Sequence, residues 1–87
     1  MENFNEPIFK TNNLGMTTTV FKNRIETKTF FIKKIILLNQ VASISPSTAG
    51  RLDVEVETTG GKKFNLPVGF GQKDALVNAI YQAQAGL

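Results

Sequence analysis

Residues 51–68 read RLDVEVETTGGKKFNLPV, two alternating runs of residues separated by a pair of glycines. In the first run apolar residues alternate with charged ones, and in the second they alternate mostly with polar ones. The apolar positions are Leu52, Val54, Val56, Phe64, Leu66 and Val68. This period of two predicts a β-hairpin with one buried and one exposed face.

The faces of this hairpin fix its register. A Gly60-Gly61 loop would oppose Val56 to Asn65 and mix the two faces, whereas a Thr59–Gly61 loop opposes Val56 to Phe64. The longer loop also opposes Val54 to Leu66 and Glu57 to Lys63. Gly61 then supplies the left-handed residue of the turn. Pro67 falls on the outer face near the strand end, which predicts a free sheet edge there.

Further strands are predicted towards the N-terminus. A weak first strand is expected around Ile8–Thr11, within a weakly structured segment 1–15. A hairpin over residues 16–32 follows, with its turn at Asn23, a residue type that tolerates the left-handed conformation. Ile35–Leu38 reads as a buried strand. The spacing of three from Leu38 through Val41 to Ile44 favours a bulge or a single helical turn. Residues 45–50 read as a loop.

A C-terminal helix is predicted over residues 72–84. Its apolar stripe comprises Leu76, Ala79, Ile80 and Ala83, widened by Val77 and Tyr81. Asp74 lies in the first turn, where the helix dipole favours a negative charge, and Gly86 ends the helix.

The connector Gly69-Phe70-Gly71 has the local order of a phosphate-binding loop. The third glycine position of the dinucleotide fingerprint is occupied by Asp74, whose charge would repel a pyrophosphate, and no second parallel strand follows. We therefore interpret it as a hinge, with Phe70 expected to seat the helix against the sheet.

Composition excludes several kinds of chemistry. The 87 residues, read as one domain 1–87, contain no Cys and no His, so a thiol nucleophile, an ordinary zinc site and a Ser-His-Asp triad are excluded. We expect no enzyme, no cofactor and no small-molecule substrate. No run is long and apolar enough to span a membrane, and the N-terminus does not resemble a signal peptide. We therefore expect a soluble cytoplasmic protein, or one held at a membrane by partners or by surface charge.

Three carboxylates, Asp53, Glu55 and Glu57, share one face of the first hairpin strand. They could hold a hard cation such as Ca²⁺. An extended strand spreads its side chains, however, so we favour a solvated outer face.

Basic residues give the chain a net charge of +3 and concentrate near the predicted turns. A candidate anion-binding patch comprises Lys22, Arg24, Lys28, Lys33, Lys34, Lys62 and Lys63. These residues form a patch for phospholipid headgroups or nucleic acid if the turns share one end of the domain; otherwise they keep the strands soluble. Phe21, Phe30 and Phe31 could stack on bases, but we expect at least two of them in the core.

The order of these elements resembles the bacterial pleckstrin-homology-like domains. The turn KNRI at residues 22–25 is followed by IILLNQVASI at residues 35–44, in which Ile36, Leu38, Val41 and Ile44 match the family's apolar spacing. The later hairpin and the closing helix also match, so the resemblance covers residues 16–85. It implies a mainly β (α+β) fold, a strongly bent antiparallel sheet or partial barrel of about six strands capped by one C-terminal helix.

The resemblance implies a non-catalytic binding or assembly module. We expect a protein partner or self-association. The alternative is an anionic ligand bound by basic hairpin tips, with a lipid surface ahead of nucleic acid.

Overall fold

The computed structural model describes residues 5–46 and 53–87. Its elements are β1 (Phe9–Asn13), β2 (Met16–Val20), β3 (Arg24–Thr29), β4 (Ile32–Leu37), a 3-10 turn (Leu38–Gln40), β5 (Val41–Pro46), β6 (Asp53–Thr58), β7 (Lys63–Pro67) and the helix α1 (Lys73–Ala85). The predicted positions Arg51 and Leu52, and most of the predicted loop 45–50, lie outside the described residues.

The strands form two antiparallel sheets, ordered β1-β2-β3-β4 and β5-β6-β7. The predicted mainly β fold with a C-terminal helix is confirmed. The expected count of about six strands is wrong, because the described residues form seven. Two-residue turns at Leu14–Gly15 and Phe30–Phe31 join strands of five or six residues, so a short chain accommodates them all.

The two sheets do not join into a closed barrel. Within the described residues, no strand pairing links β4 to β5 or β7 to β1. The 3-10 turn, at the place where the spacing of three predicted a helical turn, separates β4 from β5. The sheets pack face to face around one core, and α1 packs against residues of both sheets.

The core consists of aliphatic residues from both sheets and from the helix. Its buried members are Val20, Ile25, Ile36, Leu38, Val54, Val56, Leu66, Val68, Leu76, Ala79, Ile80 and Ala83. The predicted helical stripe is therefore confirmed, with Val77 packed at its margin. Tyr81 does not belong to it, because 52% of the residue is exposed. Asp74 lies in the first helical turn and Gly86 at the C-terminal cap, as predicted.

The β6–β7 hairpin has the predicted register. Val56 opposes Phe64, Glu57 opposes Lys63, and Gly61 is left-handed with φ of 87°. β7 forms an edge of its sheet, as predicted. Pro67 is nevertheless buried, because β2 passes beside it and the Thr18 hydroxyl donates a hydrogen bond to its carbonyl oxygen.

The β3–β4 hairpin corrects the prediction made for the phenylalanines. Thr29 pairs with Ile32, so Phe30 and Phe31 form the turn and are 74% and 100% exposed. The expectation that at least two of these phenylalanines and Phe21 lie in the core is therefore wrong. Asn23 lies in the β2–β3 turn, as predicted, but it does not use the left-handed conformation; among the described non-glycine residues, only Leu14 and Phe30 have positive φ.

The connector between β7 and α1 is held closely against β1. The Gly69 amide donates to the Thr11 hydroxyl at 2.8 Å, and Gly71 is left-handed with φ of 76°. Phe70, expected to seat the helix, is 92% exposed. That expectation is therefore wrong: the close contacts that hold the connector are made at Gly69, by Thr11, Asn12 and Gln72.

Candidate functional site

The outer face of the four-stranded sheet, which points away from the core, carries an open depression of 360 Å³. Lys10, Lys28 and Lys33 line it, together with hydroxyl groups from β2. Strand pairing brings them together, since Lys28 directly opposes Lys33. Lys10 opposes Thr19 on the neighbouring β2, and Thr19 opposes Glu26 on β3. Three ammonium groups around one depression suit an anionic group.

Glu26 lies within this depression and partly neutralises it. Its carboxylate accepts hydrogen bonds from Arg24 Nε at 2.6 Å and forms an ion pair with Lys33 Nζ at 3.1 Å. The hydrogen bond from Arg24 is the main cause that holds the pKa of Glu26 below its ordinary value, with Lys33 adding to the effect. Glu26 therefore stays ionised at neutral pH and anchors two cations.

Arg24 is already engaged by its surroundings. Besides Glu26, its guanidinium stacks over the Phe21 ring at 4.0 Å and donates to Asn23 and Asn5. These contacts fix the β2–β3 turn against the N-terminal segment. Arg24 therefore acts first as a structural residue of that turn, and binding an anion would compete with several existing contacts.

The seven basic residues predicted from sequence do not form one patch. Lys22 and Arg24 lie at the β2–β3 turn and Lys62 and Lys63 at the β6–β7 turn; Lys28, Lys33 and Lys34 flank the β3–β4 turn. The β2–β3 and β6–β7 turns both bond to the 3-10 turn. The Leu38 amide donates to the Asn23 carbonyl oxygen, and the Thr59 amide donates to the Gln40 carbonyl oxygen. The β3–β4 group lies at the other end of the four-stranded sheet.

The β3–β4 group itself is divided between two faces. Lys28 and Lys33 share the outer face, whereas Lys34 pairs with Thr27 on the inner side and extends over the Phe64 ring at 5.8 Å. Lys10 joins the outer-face group, although no local sequence pattern indicated this. Only its position in β1 relative to β3, two strands away, could have identified it.

The three carboxylates singled out in the sequence lie on the three-stranded sheet. Asp53, Glu55 and Glu57 share the outer face of β6, as their alternation predicted, beside Ser43 and Ser45 of β5. No group of three acidic side chains in residues 5–46 and 53–87 is close enough to hold a metal ion.

β4 is an edge strand with an unusually apolar exposed surface. Ile36 is its one buried residue, while Ile32, Ile35 and Leu37 are 58%, 55% and 43% exposed. Natural edge strands are usually protected by charge, proline or a covering element. Here the lysines occupy the first half of the strand, and the Ile35–Leu37 half carries no charge.

The backbone of β4 also presents hydrogen-bonding groups at this edge. The Leu38 amide donates to the Asn23 carbonyl oxygen at 3.1 Å. In an antiparallel ladder, a bond in this position flanks a directly opposed pair that shares no hydrogen bond, which here is Arg24 and Leu37. The two kinds of pair alternate along an antiparallel ladder, so every second residue of β4 directs its amide and carbonyl away from β3. These residues are Lys33, Ile35 and Leu37.

The chain matches no model of a known protein family and no curated protein sequence. In the described part of the chain, α1 with its 13 residues is too short to cross a bilayer, and no other helix qualifies.

Proposed function

We propose that this chain is a non-catalytic binding and assembly module of the pleckstrin-homology-like type. Seven antiparallel strands divided four and three, followed by one C-terminal helix, support this fold assignment. The module acts through protein–protein contacts, and the contact surface is the free edge of β4.

The observation that carries this proposal is the apolar exposed edge of β4. Ile35 and Leu37 lie on the same side of the strand, and their outward amide and carbonyl groups are available to a further strand. An added strand would satisfy these groups and bury both side chains, which is the chemistry of β-strand addition.

A second copy of the chain suits this edge in one register. If two β4 strands pair antiparallel about Ile35, each Lys33 opposes Leu37 of the other copy and each Lys34 opposes Ile36. Centring the pair on Lys33 or Lys34 would oppose like charges, which is unfavourable. Centring it on Ile36 would extend the pairing into the 3-10 turn, which is not a strand.

Analytical ultracentrifugation over a range of protein concentrations tests this proposal. Ile35→Pro removes an amide that points away from β3, so it should abolish association while leaving the β3–β4 ladder intact. Ile35→Val keeps the amide and the β-branched shape and serves as the matched control. We expect concentration-dependent association in the native chain and in Ile35→Val that persists at high salt.

Two results would contradict the proposal. A native chain that stays monomeric at all concentrations has no self-pairing edge. Association that survives Ile35→Pro takes place through another surface.

A further inference from the structure

Two turns of the four-stranded sheet carry large apolar residues at the same end. Neighbouring strands run in opposite directions, so the β1–β2 turn at Leu14–Gly15 and the β3–β4 turn at Phe30–Phe31 lie together. Leu14 is 85% exposed, and the two phenylalanines are 74% and 100% exposed. We call this region, with Leu14, Phe30 and Phe31 at its tips, the apolar end.

Phe70 lies at the apolar end as well. The preceding Gly69 is bonded to Thr11 and would clash with the Asn12 carbonyl if it carried a Cβ, so the connector passes beside the last residues of β1. These residues lead directly into the Leu14 turn. Phe70, 92% exposed, therefore adds another large apolar side chain to the same region.

The backbone at these tips is strained. Leu14 has φ of 51° and Phe30 has φ of 23°, and no other non-glycine residue of the described ranges has a positive φ. Glycine or asparagine would be easier to accommodate at both positions and would be more soluble. Strain combined with exposed hydrophobicity points to a contact that these side chains make outside the chain.

Lysines surround the β3–β4 turn. Lys28 and Lys33 oppose each other directly, an arrangement of like charges that is unfavourable in the isolated sheet. Lys34 is exposed on the other face of β4. Glu26, the acidic residue of β3, is ion-paired with Arg24 and Lys33. An anionic surface beyond the tips would stabilise these lysines.

We propose that the apolar end docks on an anionic membrane surface. The side chains of Phe30 and Phe31 enter the headgroup–acyl boundary together with those of Leu14 and Phe70. Lys28 and Lys33 contact lipid phosphates above them, with Lys10 further along the same outer face.

The shape of the surface favours a membrane over a protein partner. The exposed apolar side chains belong to two separate turns and to the β7–α1 connector. A fluid bilayer adapts to separate projections, and the combination of apolar tips with nearby basic residues suits an anionic interface.

A tryptophan probe tests insertion directly. The chain contains no Trp, so Phe31→Trp introduces a single fluorophore at a fully exposed position. With vesicles of phosphatidylcholine and phosphatidylserine, we expect a blue-shifted emission that is quenched by brominated acyl chains. Tyr81→Trp, on the exposed side of α1, is the matched control and should show neither effect.

Co-sedimentation with the same vesicles measures the two contributions separately. Phe31→Ser should weaken partitioning about tenfold or more, as expected for a phenyl ring that is no longer buried. Lys28→Gln should weaken it about fivefold at low salt. Tyr81→Ser should leave partitioning unchanged. Soluble glycerophosphoserine should not displace the chain if the ligand is a lipid surface and not a free phosphate.

Three outcomes would overturn the proposal. The first is no partitioning onto anionic vesicles at low salt. The second is binding that depends on Lys28 but shows no Phe31→Trp shift, which would mean headgroup or phosphate contact without insertion. The third is a Phe31→Ser variant that loses self-association but keeps vesicle binding, which would make the apolar end a protein interface.

Discussion

At the scale of single residues, Gly69 shows how closely the connector approaches β1. A Cβ added there would lie 2.9 Å from the Asn12 carbonyl oxygen and 2.8 Å from the Gln72 side-chain oxygen. A side chain can move aside, but the backbone carbonyl of a paired strand cannot do so without disturbing the sheet. A glycine is therefore needed at this position for the connector to pack against β1.

Gly69→Ala should destabilise the fold by about 1–3 kcal/mol, the usual cost of forcing an extra group into a packed site. Gly60→Ala is the matched control, because its nearest neighbour would be the Thr58 hydroxyl at 3.9 Å, and its effect should stay within about 0.5 kcal/mol. Urea unfolding of both variants measures the difference. Equal effects would show that the connector can move away from β1.

Glu26 makes the stability of the chain depend on pH. Because its pKa is lower in the folded chain, its contribution is complete above the unfolded pKa and is lost as the pH falls through the folded pKa. Glu26→Gln should therefore be less stable than the native chain at neutral pH, by about 1 kcal/mol or less. The two stabilities should converge in acid.

Urea unfolding at several pH values, with Glu6→Gln as a control for the loss of one carboxylate, measures this dependence. A difference between Glu26→Gln and the native chain that stays constant from neutral to acid pH would assign the effect to packing and not to charge.

At the scale of elements, the β3–β4 hairpin combines strain with exposure. A left-handed backbone costs an L-residue about 1–2 kcal/mol, part of which glycine would lose again through its greater freedom when unfolded. We expect Phe30→Gly to stabilise the chain by about 0.5–1 kcal/mol and to weaken vesicle binding. Phe31 lacks a positive φ, so Phe31→Gly should weaken binding without stabilising the fold.

Thermal or urea unfolding of these two variants separates their roles. If Phe30→Gly is no more stable than Phe31→Gly, the left-handed backbone at Phe30 is not a source of strain. The conformation of Phe30 then does not indicate a contact with another molecule.

The two hairpins also show what the sequence could predict. In β6–β7, alternation on both sides of a glycine pair allows only one register that keeps the faces apart, so pairing and turn were predictable. In β3–β4, the run TKTFFIKKII contains no turn residue, and its phenylalanines suit a core or a strand as well as a turn. Its turn therefore could not be located.

The location of the candidate site could not be predicted either, because it depends on the same β3–β4 turn. Lys28 and Lys33 are neighbours only because Phe30 and Phe31 form a two-residue turn, and Lys10 reaches them through two further strand pairings. Composition predicted a basic surface, but its location depends on contacts between strands. The free backbone edge of β4 likewise requires the complete strand order.

At the scale of the whole molecule, charge is divided between the two sheets. The outer face of β6 carries Asp53, Glu55 and Glu57, and the outer face of the four-stranded sheet carries lysines. Because the sheets enclose a common core, these faces point to opposite sides. A membrane contacted by the apolar end therefore meets the lysines, and the carboxylates of β6 remain on the other sheet.

Pairing through β4 fixes where the two apolar ends lie in a dimer. In an antiparallel β4–β4 pair, the two apolar ends point in opposite directions, because each β4 begins at the end where the other finishes. A dimer that docks by this end therefore cannot place both ends on one flat membrane. It should bridge two vesicles, and we expect dynamic light scattering to show clustering of phosphatidylserine-containing vesicles by the native chain.

Two variants distinguish bridging from simple binding. Ile35→Pro should still bind vesicles, since its apolar end is unchanged, but it should not cluster them because it remains monomeric. Phe31→Ser should still dimerise, and its binding to vesicles should be weakened about tenfold or more, which should reduce clustering as well. If Ile35→Pro clusters vesicles as efficiently as the native chain, β4 does not supply the second contact. If the native dimer binds without clustering, its two apolar ends lie on the same side and the antiparallel register is wrong.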